Sequence, residues 1–386
     1  MTIPEIDRVC FIGAGTMGAF NSLMTSAAGY ESVIHDVSES VLGTFSQRQR
    51  EMAEYLVGAG FFEQCDIETA LELVTVKHEL AAATEGAQLI SESVAEVLDI
   101  KRTVHSALDS ACPPSTLITT NTSSLLVSEI ESALSKRERF AALHSHLGST
   151  LIDIVASSAM DANTIDLLQR YVKSINCTPL ILKKENPGYV LNAMLGPLLS
   201  MAMILVIAGK GSVEEVDRAW MSESEASIGM FGMMDMFGLN IIFDNWHKDR
   251  LDDRGRAIQR LILGFLQPYV DGNRLGIKAG EGFYHYPSPA YEAADFLIDS
   301  PRSDLFESLL FVLIENAIAL VRKEVVDAHE VDRAWTSATS LEKGPFAWLD
   351  DIGTEGFLAI HARQVEAGLS TEHVAAAFEK FLKSRN

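Results

Sequence analysis

The sequence has few basic residues and no apolar run long enough to span a membrane. Its 386 residues include 31 Lys and Arg against 53 Asp and Glu, a formal net charge of −22. Nucleic acids and anionic membrane surfaces are bound through basic patches, so this balance argues against both kinds of partner. The most apolar stretch, Met194 to Ala208, is shorter than the roughly 20 residues that a membrane span needs, which favours a buried helix.

Cysteine is also scarce, and no targeting segment is visible. The four cysteines are Cys10, Cys65, Cys112 and Cys177, and their spacing does not match a metal site. We interpret them as small buried hydrophobic residues in a reducing compartment, and we predict no metal. The first residues run directly into an apolar segment, which leaves no room for a signal or transit peptide. These features predict a cytoplasmic globular protein, and the length favours two or three domains.

A glycine-rich turn follows that first apolar segment. The run Val9–Ile12 leads into residues 13–18, GAGTMG, and the residues after them have a helical composition without proline. The first glycine permits the tight turn, the second lets a pyrophosphate approach the backbone, and the third lets helix pack closely on strand. The pyrophosphate would lie at the helix N-terminus, where free N–H groups favour an anion. The predicted cofactor-binding residues of this loop are Gly13, Gly15, Thr16, Met17 and Gly18.

A second apolar run identifies the cofactor more closely. Residues Ser32–His35 read as a strand and end on Asp36, eighteen residues after Gly18. A carboxylate at this place accepts hydrogen bonds from both ribose hydroxyls of NAD and repels the 2′-phosphate of NADP. Strand, glycine turn, helix, second strand and acid therefore occur in the order of a dinucleotide-binding unit. The predicted cofactor is NAD.

The segments up to residue 185 alternate between strand and helix patterns. Further strands are predicted at 87–90, 117–120, 140–144, 151–155 and 179–182, and helices at 38–57, 66–73 and 163–174 and around Lys101 and Arg102. This alternation predicts a doubly wound parallel sheet of the Rossmann type. From Pro187 onward the strand patterns stop and long helical patterns follow. The predicted fold class is α/β, with a Rossmann-type domain followed by an all-α region.

The helical region contains an internal repeat at a shift of 115 residues. Residues Glu215–Trp220 recur as Glu330–Trp335, and eleven of twenty-four aligned positions are identical without a gap. A shared helix pattern would not keep tryptophan, glycine and aspartate at matching positions, so we infer duplication of one helical unit. The predicted domains are a Rossmann domain at 1–185, a first helical copy at 186–289 and a second, degenerate copy at 290–386.

Taken together, the motifs resemble the L-3-hydroxyacyl-CoA dehydrogenase family over nearly the whole chain. Beyond the glycine loop they are Glu92, Glu96 and Lys101, NTSSL at 121–125, His144, NPGYVLN at 186–192 and GEGFY at 280–284. The resemblance implies a dinucleotide domain followed by a helical domain, with the substrate in the cleft between them. It also implies an NAD-dependent oxidoreductase that interconverts 3-hydroxyacyl-CoA and 3-oxoacyl-CoA by hydride transfer.

The resemblance implies roles for individual residues as well. His144 would be the general base that removes the proton of the substrate hydroxyl as hydride leaves the same carbon. Ser123 would hydrogen-bond the same oxygen, and Asn192 would orient the base and close the cleft. A carboxylate behind the histidine would fix its tautomer. The further cofactor-binding residues are Asp36, Glu96, Lys101 and Asn121.

The chain departs from the family pattern just after its histidine. The family continues with Phe-Phe-Asn-Pro, whereas this sequence has SHLG at 145–148. The family's glutamate corresponds to Asp153, nine residues after His144 and closer than the family spacing. Either the shorter loop and the shorter carboxylate compensate for each other, or the pair is broken. His146 either takes over a polar role or points the other way.

The acyl-carrier side of the site is altered too. The family holds CoA with basic residues after the second strand, but residues 56–64 contain no lysine and only Arg48 and Arg50 lie nearby. A free 3-hydroxy acid or a carnitine-like metabolite is therefore an alternative substrate. A third possibility is a catalytically silent NAD-binding protein in which the changed loop marks decay. The expected partners are a small-molecule substrate and an internal pseudo-dimer of the two helical copies, with a homodimer left open.

Overall fold

The structure is a computed structural model that describes residues 2–247, 253–299, 302–371, 378 and 381–382. The chain divides into two compact units, which we call the sheet unit and the helical unit. The sheet unit consists of Met1–Val190, Glu324–Glu330 and Ser337–Ser340. The helical unit consists of Leu191–Lys323, Val331–Thr336 and Leu341–Asn386. The predicted fold class, a Rossmann-type domain followed by an all-α region in two copies, is confirmed.

The sheet unit is built on one sheet, with eight strands among the described residues. They are β1 (Arg8–Ile12), β2 (Glu31–His35), β3 (Val74–Val76), β4 (Leu89–Glu92), β5 (Leu117–Thr120), β6 (Phe140–Ser145), β7 (Leu151–Ala156) and β8 (Thr178–Ile181). Their order across the sheet is β3-β2-β1-β4-β5-β6-β7-β8. Every residue of β4, β5 and β6 is buried, which explains why these strands read as short continuous runs.

The sheet is mainly parallel, as predicted, but its last two strands depart from that direction. The strands from β3 through β6 pair in parallel, whereas β7 runs antiparallel to β6 and β8 follows β7 in parallel. Only residues 146–150 join β6 to β7. A parallel crossover needs a dozen or more residues, so a link this short produces a hairpin.

The helices of the sheet unit include those that were predicted and two short helices that were not. They are α1 (Thr16–Ala27), α2 (Glu39–Gly43), α3 (Phe45–Gly58), α4 (Gln64–Glu72), α5 (Leu80–Thr84), α6 (Leu98–Ala111), α7 (Val127–Ile130) and α8 (Ala162–Ser174), of which α5 and α7 were not predicted. The helix predicted at 38–57 is interrupted at Thr44, whose hydroxyl donates back to the carbonyl oxygens of Ser40 and Val41, a contact that bends helices. The strand predicted at 87–90 lies two residues later, and the short β3 was not predicted.

The expectation of four buried cysteines is wrong for one of them. Cys10, Cys112 and Cys177 are buried, whereas Cys65 is exposed. The buried residues of α4 are Ile67 and Ala70, which lie three positions apart on one stripe of the helix. Cys65 lies off that stripe.

The helical unit contains the second half of the elements. They are α9 (Leu191–Ile207), α10 (Val213–Ser224), α11 (Met230–Phe237), α12 (Leu239–Trp246), α13 (Asp253–Asp271), α14 (Ser303–Arg322), α15 (Ala328–Thr339) and α16 (Pro345–Glu366). The middle of α15 belongs to this unit. The apolar helix α14 packs against both α9 and α16 and forms the centre of the core. Among the described residues, no helix combines the length and apolarity that crossing a membrane requires.

The internal repeat has a structural counterpart in two capping aspartates. The Asp217 carboxylate accepts from the N–H groups of the second and third residues of α11, at 2.9 and 3.1 Å. Asp332 does the same for α16, at 2.7 and 3.0 Å. Gly229 and Gly344 precede the capped helices, and a Cβ there would lie 2.2 Å and 2.4 Å from the respective aspartate. Aspartate and glycine therefore have to recur together.

The repeated tryptophans meet in the core of the helical unit. Trp220 and Trp335 are both buried, each with 1% of its surface exposed. Their ring centroids are 6.5 Å apart in an edge-to-face arrangement. Gly238 and Gly353, a further repeated pair, both have positive φ and interrupt the helices at matching places. The predicted second copy, 290–386, also contains residues 300, 301, 372–377, 379, 380 and 383–386, which lie outside the described part of the chain.

Candidate active site

The hairpin of β6 and β7 brings the predicted base and its carboxylate together. His144 on β6 and Asp153 on β7 are directly opposite in register. His144 Nδ1 lies 3.0 Å from Asp153 Oδ2, and the two residues are 5% and 0% exposed. The shorter loop and the shorter carboxylate therefore compensate for each other, because the antiparallel register places the aspartate across from the histidine.

His146 contacts the same carboxylate oxygen. Its Nε2 lies 2.9 Å from Asp153 Oδ2, and its ring centroid is 4.3 Å from that of His144. The alternative in which His146 points the other way is wrong, because residues two apart along an extended segment share a face. Asp153 Oδ2 is thus the hydrogen-bond partner of both imidazoles. Asp153 Oδ1 is buried without a hydrogen-bond partner among the described residues.

The protonation of this cluster follows from its surroundings. Burial alone would raise the pKa of Asp153, but hydrogen bonds from His144 and His146 outweigh it and hold the pKa below its usual value. An ionised carboxylate only accepts hydrogen bonds, so we assign the protons to Nδ1 of His144 and Nε2 of His146. Burial, reinforced by His146, lowers the pKa of His144 despite the opposing effect of Asp153. His144 is therefore neutral at neutral pH, with a lone pair on Nε2 that can accept a proton.

The same three side chains place one nitrogen or oxygen atom each within 4.8 Å of one another. Two imidazoles and a carboxylate are a donor set that transition metals favour. Each of the two nitrogens is already hydrogen-bonded to Asp153, so the spacing has an explanation that needs no ion. That the chain carries no metal stays a prediction.

The glycine loop has the shape that a pyrophosphate requires. Gly13 has a φ of +105° and a Cβ there would lie 2.7 Å from the Ser93 carbonyl oxygen, while a Cβ at Gly18 would lie 1.9 Å from the Gly13 oxygen. Gly15, which caps α1, has no atom within 4 Å of its Cβ position. Space above the middle glycine, beside the N-terminus of a twelve-residue helix, fits the diphosphate of a dinucleotide. Thr16 and Met17 begin that helix.

Asp36 stands beside this loop at the carboxyl end of β2. Its carboxylate accepts from the backbone N–H groups of Ala14, at 2.9 Å, and Ser38, at 2.8 Å. Arg48 on α3 donates to the Ala14 carbonyl oxygen at 2.6 Å. The acid predicted to bind ribose is thus fixed next to the glycine turn, and Arg48 is directed at that turn as well.

Glu96 organises the turn that follows β5. Its Oε1 accepts from the hydroxyl of Thr122 at 2.7 Å and from the backbone N–H groups of Ser123 and Ser124, both at 2.8 Å. The hydroxyl of Ser123, predicted to bind the substrate oxygen, lies 3.4 Å from the same Glu96 oxygen. Asn121, at the start of this turn, accepts from the Ser145 N–H at 2.8 Å and so ties the turn to the end of β6.

Lys101 lies in a buried network that the sequence did not reveal. The lysine is 1% exposed, and its Nζ donates to Glu92 at 2.7 Å and lies 3.5 Å from Glu96. Glu92 also contacts His105 Nε2 at 2.9 Å and accepts from the Thr120 hydroxyl at 2.6 Å. Burial would raise the pKa of Glu92, but His105 and Lys101 lower it to about 2. The sequence contains one indication of this network: Lys101 and His105 are four residues apart, which places both on one face of α6.

Two residues of the NPGYVLN segment occupy different units. Tyr189 belongs to the sheet unit, and its ring centroid lies 5.1 Å from that of His144, a contact that sequence reasoning missed. Asn192, predicted to orient the base, is the second residue of α9 in the helical unit and is half-buried. The hairpin, the glycine loop, Asp36 and the Glu96 turn all belong to the sheet unit.

Two family models match this chain. The NAD-binding domain of 3-hydroxyacyl-CoA dehydrogenase matches residues 8–185. The C-terminal domain of the same enzymes matches residues 188–286 and 306–385, which are two separate segments of the helical region. The matches cover well over half of the sequence.

Individual proteins with similar sequences or structures agree with these models. The mitochondrial hydroxyacyl-coenzyme A dehydrogenase of Sus scrofa is 27% identical over 292 residues, which are 73% of this chain and 91% of that protein. A diketoreductase, described by its dual catalysis of dicarbonyl compounds, is 28% identical with a TM-score of 0.67, covering 74% of this chain and 100% of that one. The 3-hydroxybutyryl-CoA dehydrogenase of Escherichia coli K12 has a TM-score of 0.77 at 19% identity over 96% of both chains, a similarity of fold.

Proposed function

The chain belongs to the 3-hydroxyacyl-CoA dehydrogenase family, and on that premise we propose that it interconverts 3-hydroxyacyl-CoA and 3-oxoacyl-CoA with His144 as the general base. It is an NAD-dependent oxidoreductase that acts on a CH–OH group. The observation that carries the proposal is the contact of 3.0 Å between His144 Nδ1 and the buried Asp153 carboxylate.

The chemistry of His144 follows from that contact. Because Nδ1 donates to Asp153, Nε2 keeps its lone pair and takes the proton from the substrate hydroxyl during oxidation. Bound NAD supplies the hydride acceptor. The Asp153 carboxylate then stabilises the imidazolium, and in the reverse direction His144 returns the proton to the substrate oxygen. Ser123 and Asn192 stay predicted partners of the substrate oxygen and of the base.

The acyl carrier is the least constrained part of the proposal. The helix α3 and the residues after it carry no lysine, and Arg48 is engaged with the glycine loop. Both observations favour a second candidate, the dehydrogenation of a free 3-hydroxy acid or a carnitine-like metabolite. The similarity to a diketoreductase, an enzyme of dicarbonyl compounds, also supports a substrate other than an acyl-CoA.

One assay separates these candidates. The purified protein is mixed with NADH and either acetoacetyl-CoA or acetoacetate, and the loss of NADH is followed by absorbance. Faster turnover of the thioester supports the leading proposal, and faster turnover of the free acid supports the second. Tight NADH binding without turnover of either compound would contradict both and favour a catalytically silent NAD-binding protein.

We propose that the two helical copies form an internal pseudo-dimer in the place of a subunit contact. Helix α14, in the second predicted copy, packs on α9 of the first and is buried along most of its length. Deleting residues 290–386 would expose the face of α9 that α14 covers, so the truncated protein should aggregate or dimerise. Light scattering after size exclusion tests this, and a soluble monomeric truncation with full activity would contradict it. The domain limits, the cytoplasmic location and a homodimer stay predictions.

A further inference from the structure

The hydroxyl group of Tyr189 is buried without a hydrogen bond. The side chain is 1% exposed, and among the described residues no donor or acceptor pairs with its oxygen. A buried polar group without a partner loses its hydrogen bonds to water and gains none in return, which is why native proteins rarely leave one. The other buried tyrosines of the sheet unit do not share this condition, because Tyr30 bonds to Ser174 at 2.5 Å and Tyr171 to Thr25 at 2.8 Å.

The backbone of Tyr189 is also held in an unusual conformation. Its φ is +50°, a left-handed value that bulky residues rarely adopt. The side-chain amide of Asn186 donates to the carbonyl oxygens of Pro187 and Tyr189, both at 3.0 Å. The backbone carbonyl oxygen of Asn186 accepts from the Tyr189 N–H at 2.9 Å. Strained residues persist where the surroundings fix them, and they concentrate at functional sites. The turn therefore fixes this ring where it stands.

The ring stands against the proposed base. Its centroid is 5.1 Å from that of His144, at an interplanar angle of 48°. Burial raises the pKa of Tyr189, and the carboxylates of Asp153, Glu96, Glu185 and Glu92 raise it further. The phenol is therefore a neutral O–H donor over the whole working pH range, because burial and the nearby carboxylates disfavour its ionised form.

We propose that the Tyr189 hydroxyl donates a hydrogen bond to the oxygen on the reacting carbon of the substrate. The inference rests on the proposed function, since it needs His144 to act on that oxygen. The donor is neutral and fixed before the substrate arrives, and negative charge develops on the oxygen as its proton passes to His144. A preorganised donor then stabilises the transition state more than the ground state. The alcohol proton moves to His144 Nε2 and the hydride to NAD, while Tyr189 keeps its own proton throughout.

The test is Tyr189→Phe, which removes only the oxygen. We expect kcat and kcat/KM to fall together by about 10²-fold, the typical loss when one such donor is removed. The dissociation constant for NADH should not change. The denaturation midpoint should stay the same or rise, because the variant no longer buries an unpaired hydroxyl.

Tyr171→Phe is the matched control, because it removes a buried hydroxyl that has a partner, Thr25. That variant should lower the denaturation midpoint and leave kcat unchanged. If Tyr189→Phe keeps kcat/KM within twofold of wild type, fails to fold, or lowers the midpoint as Tyr171→Phe does, the hydroxyl is structural and the inference is wrong.

His144→Gln separates this inference from the proposed function on which it rests. Loss of turnover in His144→Gln with normal turnover in Tyr189→Phe would overturn only the role of the tyrosine. Normal turnover in both would overturn the base as well. The substrate is whichever of acetoacetyl-CoA and acetoacetate the wild type reduces, and reduction of neither would contradict both proposals.

Discussion

Two fully buried aspartates, one in each unit, are bound in opposite ways. In the helical unit, Asp217 accepts from two backbone N–H groups of α11 and from the hydroxyl of Tyr284 at 2.9 Å, so both of its oxygens are paired. In the sheet unit, Asp153 puts both of its contacts on Oδ2, and its Oδ1 has no partner among the described residues. One carboxylate is bonded mainly to backbone, and the other only to side chains that can change their protonation.

The difference separates a structural site from the proposed active site. A satisfied buried carboxylate fixes the elements around it, and nothing remains for a ligand to complete. Around Asp153 the polar groups are incompletely paired, because Asp153 Oδ1 and the Tyr189 hydroxyl have no partner among the described residues. Natural proteins leave such groups unpaired where a substrate supplies the missing partner.

The largest expected effect comes from removing His144, the proposed base in the sheet unit. His144→Gln should lower kcat by roughly 10²–10⁴, the usual range for a positioned general base, and leave the affinity for NADH unchanged. Steady-state rates and NADH fluorescence titration measure the two quantities. His146→Gln is the matched variant, since it changes the other histidine on the same oxygen. Near-normal rates for His144→Gln with loss in His146→Gln would reverse the assignment of the base.

The corresponding change in the helical unit should act on stability alone. Asp217→Ala leaves three buried donors without an acceptor, so the free energy of unfolding should fall by about 2–5 kcal/mol. Denaturant titration measures this, and kcat per folded molecule should match wild type. Asp332→Ala, the same change in the second copy, should cost a similar amount. A loss of kcat in the folded Asp217→Ala protein would remove the contrast between the two aspartates.

A smaller effect is expected when the carboxylate of the cluster is neutralised. Asp153→Asn keeps the shape of the side chain but removes the charge that we propose to stabilise the His144 imidazolium. We expect kcat to fall about 10–100-fold, as is common when the group behind a functional histidine is changed. Stopped-flow measurement of NADH oxidation checks it. Unchanged kcat would mean that the contact between the two side chains has no part in turnover.

The smallest expected effect is a shift in pH dependence. Burial and His146 lower the pKa of His144, so the acid limb of kcat/KM for alcohol oxidation should lie below the ordinary histidine value of about 6.5. The groups that face His144 with an opposing effect are Asp153 and Glu96, which raise its pKa. His146→Leu should move the acid limb upward, because the pKa-lowering neighbour is gone. An acid limb that stays in place would show that His146 does not act on His144.

The lowered pKa of His144 and the raised pKa of Asp217 should make the stability of the protein depend on pH in opposite directions. Between the folded and unfolded pKa values of His144 the unfolded chain binds more protons, so its contribution to stability is lost as pH falls below about 6.5. Burial raises the pKa of Asp217 to about 7, so the folded state binds the extra proton and its contribution to stability declines as pH rises from about 4 to 7. In a plot of the free energy of unfolding against pH, Asp217→Ala should remove the slope between about pH 4 and about pH 7, and His144→Gln should remove the slope below about pH 6.5.

The sequence was sufficient for the parts of the fold that depend on short patterns. The glycine turn, Asp36, the strands β5 and β6 and the paired tryptophans lie where their patterns predict, because burial and turn chemistry are local properties. The antiparallel direction of β7 follows from the shortness of the link at residues 146–150. The alternating strand and helix patterns predicted a parallel sheet instead.

Contacts between side chains from separate elements were not predictable in the same way. The network of Glu92, Lys101 and His105 joins β4 to α6, and the contact of Tyr189 with His144 joins residues 45 positions apart. No spacing rule links Glu92 to the residues of α6, or Tyr189 to His144. Their partners become visible only when burial and distances are known.

The hairpin of β6 and β7 makes the contact between His144 and Asp153 depend on the pairing of two strands. Surface loops usually tolerate insertions during evolution. A slip of one residue in the pairing of β6 with β7 would turn the Asp153 carboxylate to the opposite face of the sheet. A change in the length of residues 146–150 is therefore compatible with the contact between His144 and Asp153 only where it leaves this pairing in place.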